Sequence, residues 1–158
     1  MTILYGVVQR TQYGEIGRRR RHLIVNIHSQ TWHYVMRIFI VDDSEAIRKL
    51  LRTILEMQGN WIVCGEAENG LEGVEKAPEL KPDVIVLDLS MPVMNGFQAA
   101  RKLKSLMPHV PLVMFTSYVN STLEREAVAV GIHSVVTKPE GAALVKAIRK
   151  VVHRSAVE

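Results

Sequence analysis

From position 36 onward, the sequence predicts an α/β fold in which helices cover both faces of a parallel sheet. Short apolar runs alternate regularly with longer stretches of helical periodicity, which is the pattern of repeated strand–helix units. The run Val84–Leu87 is unbroken and mostly β-branched, as expected for a strand buried on both faces. Right-handed crossovers between five such runs favour a doubly wound, flavodoxin-like (βα)5 sheet of strand order 2-1-3-4-5.

Each predicted strand is followed by an apolar stripe at helical spacing. The five predicted strands, in chain order, span residues 38–41, 61–64, 84–87, 111–115 and 134–137. Ser44 is the expected N-cap of the first helix and Ser121 that of the fourth. Pro78 is expected to end or kink the second helix, because proline cannot donate the backbone hydrogen bond of a helix interior.

Length and cysteine content narrow the class of protein further. A chain of 158 residues suits one domain with a substantial core. No apolar run approaches the length of a membrane span, and the start lacks the apolar core of a secretory signal. The single cysteine, Cys64, excludes an internal disulfide framework, so a reducing cytoplasm is the expected location.

Residues 1–35 differ in texture from the rest of the chain. They have no sustained helical or strand period, and they hold five of the 20 basic residues and one of the 16 acidic ones, which leaves 15 of each sign in the remainder. We expect residues 1–35 to be a disordered extension or upstream translation, with the folded domain at 36–154 and Met36 as its natural start. The alternative is that the run Arg18 to Arg21 forms a basic arm for nucleic acid or a membrane surface.

Polar and charged residues follow the strands at the edge where ligands bind in this type of sheet. Asp42 and Asp43 follow the first strand and Asp88 the third, Thr116 and Ser117 end the fourth, and Lys138-Pro139 follows the fifth. Taken singly, each has a plainer interpretation, such as a helix cap or a solvated lysine. Because the carboxyl ends of parallel strands share one edge, we expect all of them to converge.

Three neighbouring carboxylates require compensation. Two unit charges about 4 Å apart repel by about 4 kcal/mol at an effective dielectric of about 20. All-oxygen ligation suits Mg²⁺ or Mn²⁺, so a divalent cation is expected at Asp42, Asp43 and Asp88. The other residues suit phosphoryl transfer: Asp88 as the carboxylate nucleophile, and Lys138 and Thr116 as partners for the phosphoryl oxygens.

These residues closely resemble the receiver domain of two-component response regulators, the CheY-like family. The resemblance covers about residues 36 to 153 and consists of Ile40-Val41-Asp42-Asp43-Ser44, Leu87-Asp88-Leu89-Ser90-Met91-Pro92-Val93-Met94-Asn95-Gly96, Thr116-Ser117 and Lys138-Pro139. It implies that Asp88 is the phosphoacceptor from a histidine kinase or phosphotransfer protein. It also implies that Asp42, Asp43, Asp88 and the Ser90 backbone carbonyl hold Mg²⁺.

The same resemblance implies that Lys138 and Thr116, with Ser117 beside it, contact the phosphoryl group, and that the Lys138–Pro139 bond is cis. The signalling surface would lie at about Thr122 to Val152. One position departs from the family pattern, because Val135 stands where receivers commonly carry Tyr or Phe. Signalling through an inward-swinging ring is therefore in doubt.

The expected protein is a stand-alone switch rather than an enzyme. It would lack a DNA-binding domain, associate as a monomer or weak dimer and signal through a partner protein. One alternative is a pseudo-receiver that binds its partner without phosphorylation. The other is an Asp-nucleophile phosphohydrolase, which would want a second Asp at the position of Ser90.

Overall fold

The computed structural model describes residues 23–25 and 32–155. The strands are β1 (Leu23–Val25), β2 (Trp32–Tyr34), β3 (Met36–Val41), β4 (Trp61–Ala67), β5 (Val84–Leu87), β6 (Leu112–Thr116) and β7 (Ser134–Thr137). The helices are α1 (Glu45–Glu56), α2 (Gly70–Leu80), α3 (Gly96–Leu106), α4 (Ser121–Ala129) and α5 (Gly141–Ser155). Within this part of the chain, no helix combines the length and apolarity needed to cross a membrane.

The main sheet has five parallel strands in the order β4-β3-β5-β6-β7. Counting these five strands alone, the order is 2-1-3-4-5, which confirms the flavodoxin-like topology. All four residues of β5 and all five of β6 are buried. Their unbroken apolar sequences reflect this burial, because a strand covered on both faces has no solvent-facing side to alternate with.

Each face of the sheet carries its own apolar core. Helices α1 and α5 cover one face, where Leu51 and Leu55 of α1 meet Leu144 and Ile148 of α5. Helices α2, α3 and α4 cover the other face with mostly small residues, such as Ala77, Ala99 and Ala127. The sheet is therefore held from both sides, and its carboxyl edge is left open for polar groups.

Side-chain caps fix where the helices begin. Ser44 accepts the Ile47 N–H as predicted for α1. The cap of α4, however, is Asn120, whose Oδ1 accepts the Leu123 N–H at 2.8 Å. The prediction of Ser121 was wrong by one position, because α4 begins at Ser121 itself and the cap precedes the first helical residue.

Pro78 lies inside α2 rather than at its end. The helix continues to Leu80 and stops at Lys81, which adopts a left-handed conformation with φ 48°. A proline in the last turn removes one backbone hydrogen bond, and the helix tolerates this loss near its terminus. The expectation that Pro78 ends the helix was therefore wrong, and the alternative, a kink at Pro78, stays a prediction.

Two short strands precede the main sheet. β1 pairs antiparallel with β2 in the register Leu23 to Tyr34. Tyr34 packs against the core on the α1/α5 face, and Val35 is buried. Strands of three residues are too short to show a period, which is why the sequence did not predict them. The remainder of the segment 1–35, including the four-arginine run, lies outside the described residues, so its disorder or upstream origin stays a prediction.

Candidate functional site

Four strand ends bring the predicted polar residues to one edge of the sheet. We call Asp42, Asp43, Asp88, Thr116 and Lys138 the acidic edge. The Asp88 N–H donates to the Val41 carbonyl at 2.8 Å, and the Lys138 N–H donates to the Thr116 carbonyl at 2.8 Å. These bonds continue the parallel ladders by one residue, so Asp88 and Lys138 are each placed by a strand end rather than by a free loop.

The three carboxylates lie close together. One oxygen from each of Asp42, Asp43 and Asp88 falls within 4.8 Å of the others. Asp42 and Asp88 are 2 % and 4 % exposed, whereas Asp43 faces solvent. Two of the three carboxylates are thus buried, and the third is open to solvent, where a small ligand can reach the cluster.

Lys138 joins the two buried carboxylates. Its Nζ lies 2.7 Å from Asp42 Oδ2 and 2.9 Å from Asp88 Oδ1. Burial alone would lower the pKa of Lys138, but its hydrogen bonds to the two carboxylates and their charges together raise it. Burial raises the pKa of Asp88, and the Lys138 ammonium opposes that rise. The ammonium is therefore firmly charged, and it favours the ionised form of Asp88.

Backbone donors hold the second oxygen of each buried carboxylate. Asp42 Oδ1 accepts the Ser44 N–H at 2.9 Å, and Asp88 Oδ2 accepts the Ser90 N–H at 3.1 Å. Each carboxylate is therefore held by Lys138 on one oxygen and by a turn amide on the other. This arrangement fixes both side chains before any ligand binds.

The remaining predicted residues lie around this centre. Thr116 is 3 % exposed at the end of β6, and Ser117 next to it faces solvent. The Lys138–Pro139 peptide bond is cis. Val135 pairs with Met114 in the ladder between β6 and β7 and packs, half-buried, against the core on the α2/α3/α4 face. No aromatic ring occupies that place.

The loop that follows Asp88 is tightly folded. The Gly96 N–H donates to the Leu89 carbonyl at 2.9 Å, and a Cβ on Gly96 would overlap the Asp88 carbonyl oxygen. Gly96 therefore allows α3 to begin directly against the acidic edge. Val93, in the same loop, adopts φ 66°, a left-handed conformation that is strained for a β-branched residue.

Three residues around the site were missed by the sequence reasoning. The Arg48 Nη1–H donates to the Asp42 carbonyl at 2.8 Å, and Glu66 pairs with Arg48. The Gly70 N–H donates to the Met94 carbonyl at 3.1 Å, which ties the Asp88 loop to α2. Arg48 has a weak sequence signal, since it is an arginine one turn into the helix that follows the aspartate pair. Glu66 and Gly70 have no sequence signal, because their contacts with the site depend on how α1, α2 and the Asp88 loop pack in the folded chain.

The charges of this centre fit a divalent cation. Three carboxylates and one ammonium leave two negative charges when all are ionised, and a divalent ion would balance them. Every available donor is an oxygen, and hard divalent cations such as Mg²⁺ and Mn²⁺ prefer oxygen ligands. The exposed side of Asp43 leaves room for the water that Mg²⁺ commonly retains.

Comparison with known proteins gives a consistent result. The sequence model of the response regulator receiver domain family matches residues 38–149 of this chain. The chemotaxis protein CheY of Thermotoga maritima is 35% identical over 116 residues, which cover 73% of this chain and 96% of that protein. The response regulator protein VraR of Staphylococcus saprophyticus is 35% identical over 123 residues, but the match spans only 59% of it.

Solved structures show the same likeness. The crystal structure of the response regulator domain of Thermotoga maritima CheB superimposes with a TM-score of 0.71 at 34% identity. The superposition covers 75% of this chain and 97% of that domain. Residues 38–149, which the receiver-domain family model matches, contain every residue of the acidic edge.

Proposed function

The chain belongs to the response regulator receiver domain family of two-component signalling, and we propose that its Asp88 accepts a phosphoryl group from a histidine kinase or a phosphotransfer protein. The observation that best supports this role is the pair of contacts from Lys138 Nζ to Asp42 and to Asp88. They put a cation beside the carboxylate that would be phosphorylated. A positioned nucleophile and nearby positive charge are the main requirements of phosphoryl transfer.

The cation site would be formed by the carboxylates of Asp42, Asp43 and Asp88 together with the Ser90 backbone carbonyl. These oxygens suit Mg²⁺ or Mn²⁺, which when bound would neutralise negative charge on the phosphoryl oxygens. The fixed positions of Asp42 and Asp88 support this assignment, because preformed ligands lose little freedom when a metal binds. Asp43 supplies the solvent-facing ligand.

In the proposed reaction, an oxygen of Asp88 forms a bond to phosphorus while the bond from phosphorus to the donor breaks. The donor leaves with the electron pair of that bond, and Asp88 becomes an acyl phosphate. Lys138 would turn its ammonium from the Asp88 carboxylate to a phosphoryl oxygen, and the Thr116 hydroxyl would donate to another. Ser117 lies beside Thr116 and extends the polar lining. Balance of charge rather than acid–base chemistry drives this step.

Signalling would follow from movement of Thr116 toward the phosphoryl group. Shifting a two-state switch from about 1:99 to 99:1 needs roughly 5.5 kcal/mol of differential stabilisation, which the phosphoryl group and the cation would supply together. Because Val135 replaces the usual ring, the change would pass from Thr116 into the segment before α4 rather than through an aromatic side chain. A partner protein would read it on the surface at about Thr122 to Val152.

The direct test is to incubate the full chain with acetyl phosphate, with and without Mg²⁺, and to measure its intact mass. We expect one phosphoryl adduct that requires Mg²⁺ and is absent from the Asp88→Asn variant. Asp83→Asn is the matched control, because Asp83 precedes the same strand and its carboxylate accepts the Arg37 N–H at 2.8 Å, away from the acidic edge. That variant should still form the adduct.

The other outcomes separate the rival functions. A folded chain that neither forms the adduct nor binds Mg²⁺ would contradict the proposal and favour a phosphorylation-independent interaction module. An adduct that persists in the Asp88→Asn variant would place the phosphoacceptor elsewhere. Steady release of inorganic phosphate from many monoester substrates would favour a phosphohydrolase, although exposed Ser90 offers no carboxylate for that reaction.

A further inference from the structure

We propose that Arg48 is a positioning residue for the divalent-cation site, and this inference rests on the proposed function of the acidic edge. Arg48 lies in the first turns of α1. Its Nη1–H donates to the Asp42 backbone carbonyl at 2.8 Å, and its Nε–H donates to Glu66 Oε2 at 3.1 Å. The Arg48 side chain is only 12% exposed. It touches no carboxylate of the site directly, so it would act through the backbone.

The contacted carbonyl belongs to the peptide that joins two of the three proposed ligands. The Asp42 N–H is already bonded to the Ala67 carbonyl at 3.1 Å. With the carbonyl also held, the plane of the peptide between Asp42 and Asp43 can no longer rotate freely. The orientation of that plane sets the position of the Asp43 side chain relative to that of Asp42. A single guanidinium contact therefore aligns two ligands.

Glu66 keeps the guanidinium of Arg48 in place. Besides Arg48, the Glu66 carboxylate pairs with Arg52, whose Nη2 lies 2.7 Å and Nε 2.9 Å from Oε1. Lys76 donates to the Glu66 backbone carbonyl at 3.0 Å. Glu66 is thus anchored from α1 and from α2. The planar fork of arginine suits this task, because it can bond a carboxylate and a carbonyl at once in fixed geometry.

Charge and positioning predict opposite effects when Arg48 is removed. Arg48 is a cation near three carboxylates, so its loss should tighten Mg²⁺ binding if only its charge mattered. If Arg48 aligns the ligands, its loss should weaken Mg²⁺ binding instead. Substitutions of residues that orient metal ligands typically reduce metal affinity about 10- to 100-fold. The sign of the change therefore distinguishes the two roles.

The test is calorimetric titration of the full chain with MgCl₂, using wild type, Arg48→Met, Arg48→Lys and Lys49→Met. Lys49 is the control, since it lies on the same helix and carries the same charge, but it is 74% exposed and pairs only with Glu45 among the described contacts. We expect Arg48→Met to bind Mg²⁺ about 10-fold or more weakly. Arg48→Lys should also bind more weakly despite its retained charge, and Lys49→Met should bind like wild type.

Thermal unfolding without Mg²⁺ shows which variants are folded. If Arg48→Met does not fold, Arg48→Lys decides the matter. Unchanged or tighter Mg²⁺ binding by the folded Arg48 variants, with normal binding by wild type, would overturn the positioning role alone. Failure of wild type itself to bind Mg²⁺ would instead overturn the proposed cation site, and the inference with it.

Discussion

The acidic edge and helix α4 meet at the end of β6, but they are held in place by different means. At the acidic edge, Asp42 and Asp88 each accept one hydrogen bond from Lys138 and one from a backbone amide. These two buried carboxylates and Lys138 are therefore each held by two partners, and Lys138 links the ends of β3 and β5 to the end of β7. Polar groups held in this way keep one arrangement.

Helix α4 is anchored much more lightly. Leu123 and Ala127 are the two buried residues among its nine, a share close to that of α1, which buries two of twelve, and smaller than that of α3, which buries four of eleven. Val128, in the last turn of α4, is 74% exposed, and Tyr118, in the loop before the helix, is 66% exposed. Elements with little buried apolar surface open and shift at low cost in free energy.

This contrast suits a switch. The proposed phosphoryl transfer requires fixed groups, since small displacements of a nucleophile or a metal ligand are costly to reaction rates. The output requires an element that can occupy two positions. Thr116 belongs to the fixed centre and starts the segment that leads to α4, so it connects the two regions. This connection matters more because position 135 holds a valine, so no aromatic ring is present there that could also link the acidic edge to the surface.

Removal of Lys138 should have the largest effect, because it breaks the fixed centre. Lys138→Met leaves Asp42 and Asp88 buried without their shared cation, which should lower the free energy of unfolding by about 3 kcal/mol without Mg²⁺. Saturating Mg²⁺ should recover part of this loss, because it would replace the missing charge. Urea unfolding with and without Mg²⁺ measures both values.

Lys146→Met is the control for that experiment, since Lys146 is an exposed lysine of α5. It should change stability by no more than about 0.5 kcal/mol. An equal loss from both variants, or a loss from Lys138→Met that Mg²⁺ does not reduce, would show that the ammonium does not hold the carboxylates together.

The cap of α4 should give an intermediate effect. Asn120→Ala removes the acceptor of the Leu123 N–H and should cost about 1 kcal/mol. Because α4 is lightly anchored, we expect faster hydrogen exchange in α4 than in the sheet. Ser121→Ala is the matched control and should change little, since Ser121 is the first helical residue. If Asn120→Ala raised the exchange rates of the sheet amides as much as those of α4, then α4 would not open more readily than the sheet.

The sequence predicted more of the acidic edge than of its surroundings, and the reason is physical. Strand ends follow from apolar runs, and parallel topology then forces Asp42, Asp88 and Lys138 together. By contrast, the contact between Arg48 and Glu66 joins a helix to an edge strand, and only the packing determines it.

Local backbone geometry was equally hidden. Asn120 and Ser121 are both good caps, and a shift of one residue decides between them. The left-handed φ of Val93 could not be predicted from the sequence, because turn positions with positive φ are usually occupied by glycine or asparagine.

Substitution of Val93 should change the free energy of unfolding least, but it should increase it, whereas most substitutions decrease it. A left-handed conformation costs a valine about 1–2 kcal/mol in the folded state. Replacing it with glycine removes this cost, but fixing the more flexible glycine backbone on folding costs about 0.5–1 kcal/mol. Val93→Gly should therefore stabilise the chain by about 0.5–1 kcal/mol. The same substitution at Val128, which is similarly exposed but lies in α4, should destabilise it by a few tenths of a kcal/mol. A higher urea midpoint for Val93→Gly and a lower one for Val128→Gly would show that the backbone at Val93 is strained in the folded chain. The lower midpoint at Val128 would reflect the poor helix propensity of glycine. A loss of stability at Val93 would instead mean that the valine side chain makes up for the strain of its backbone.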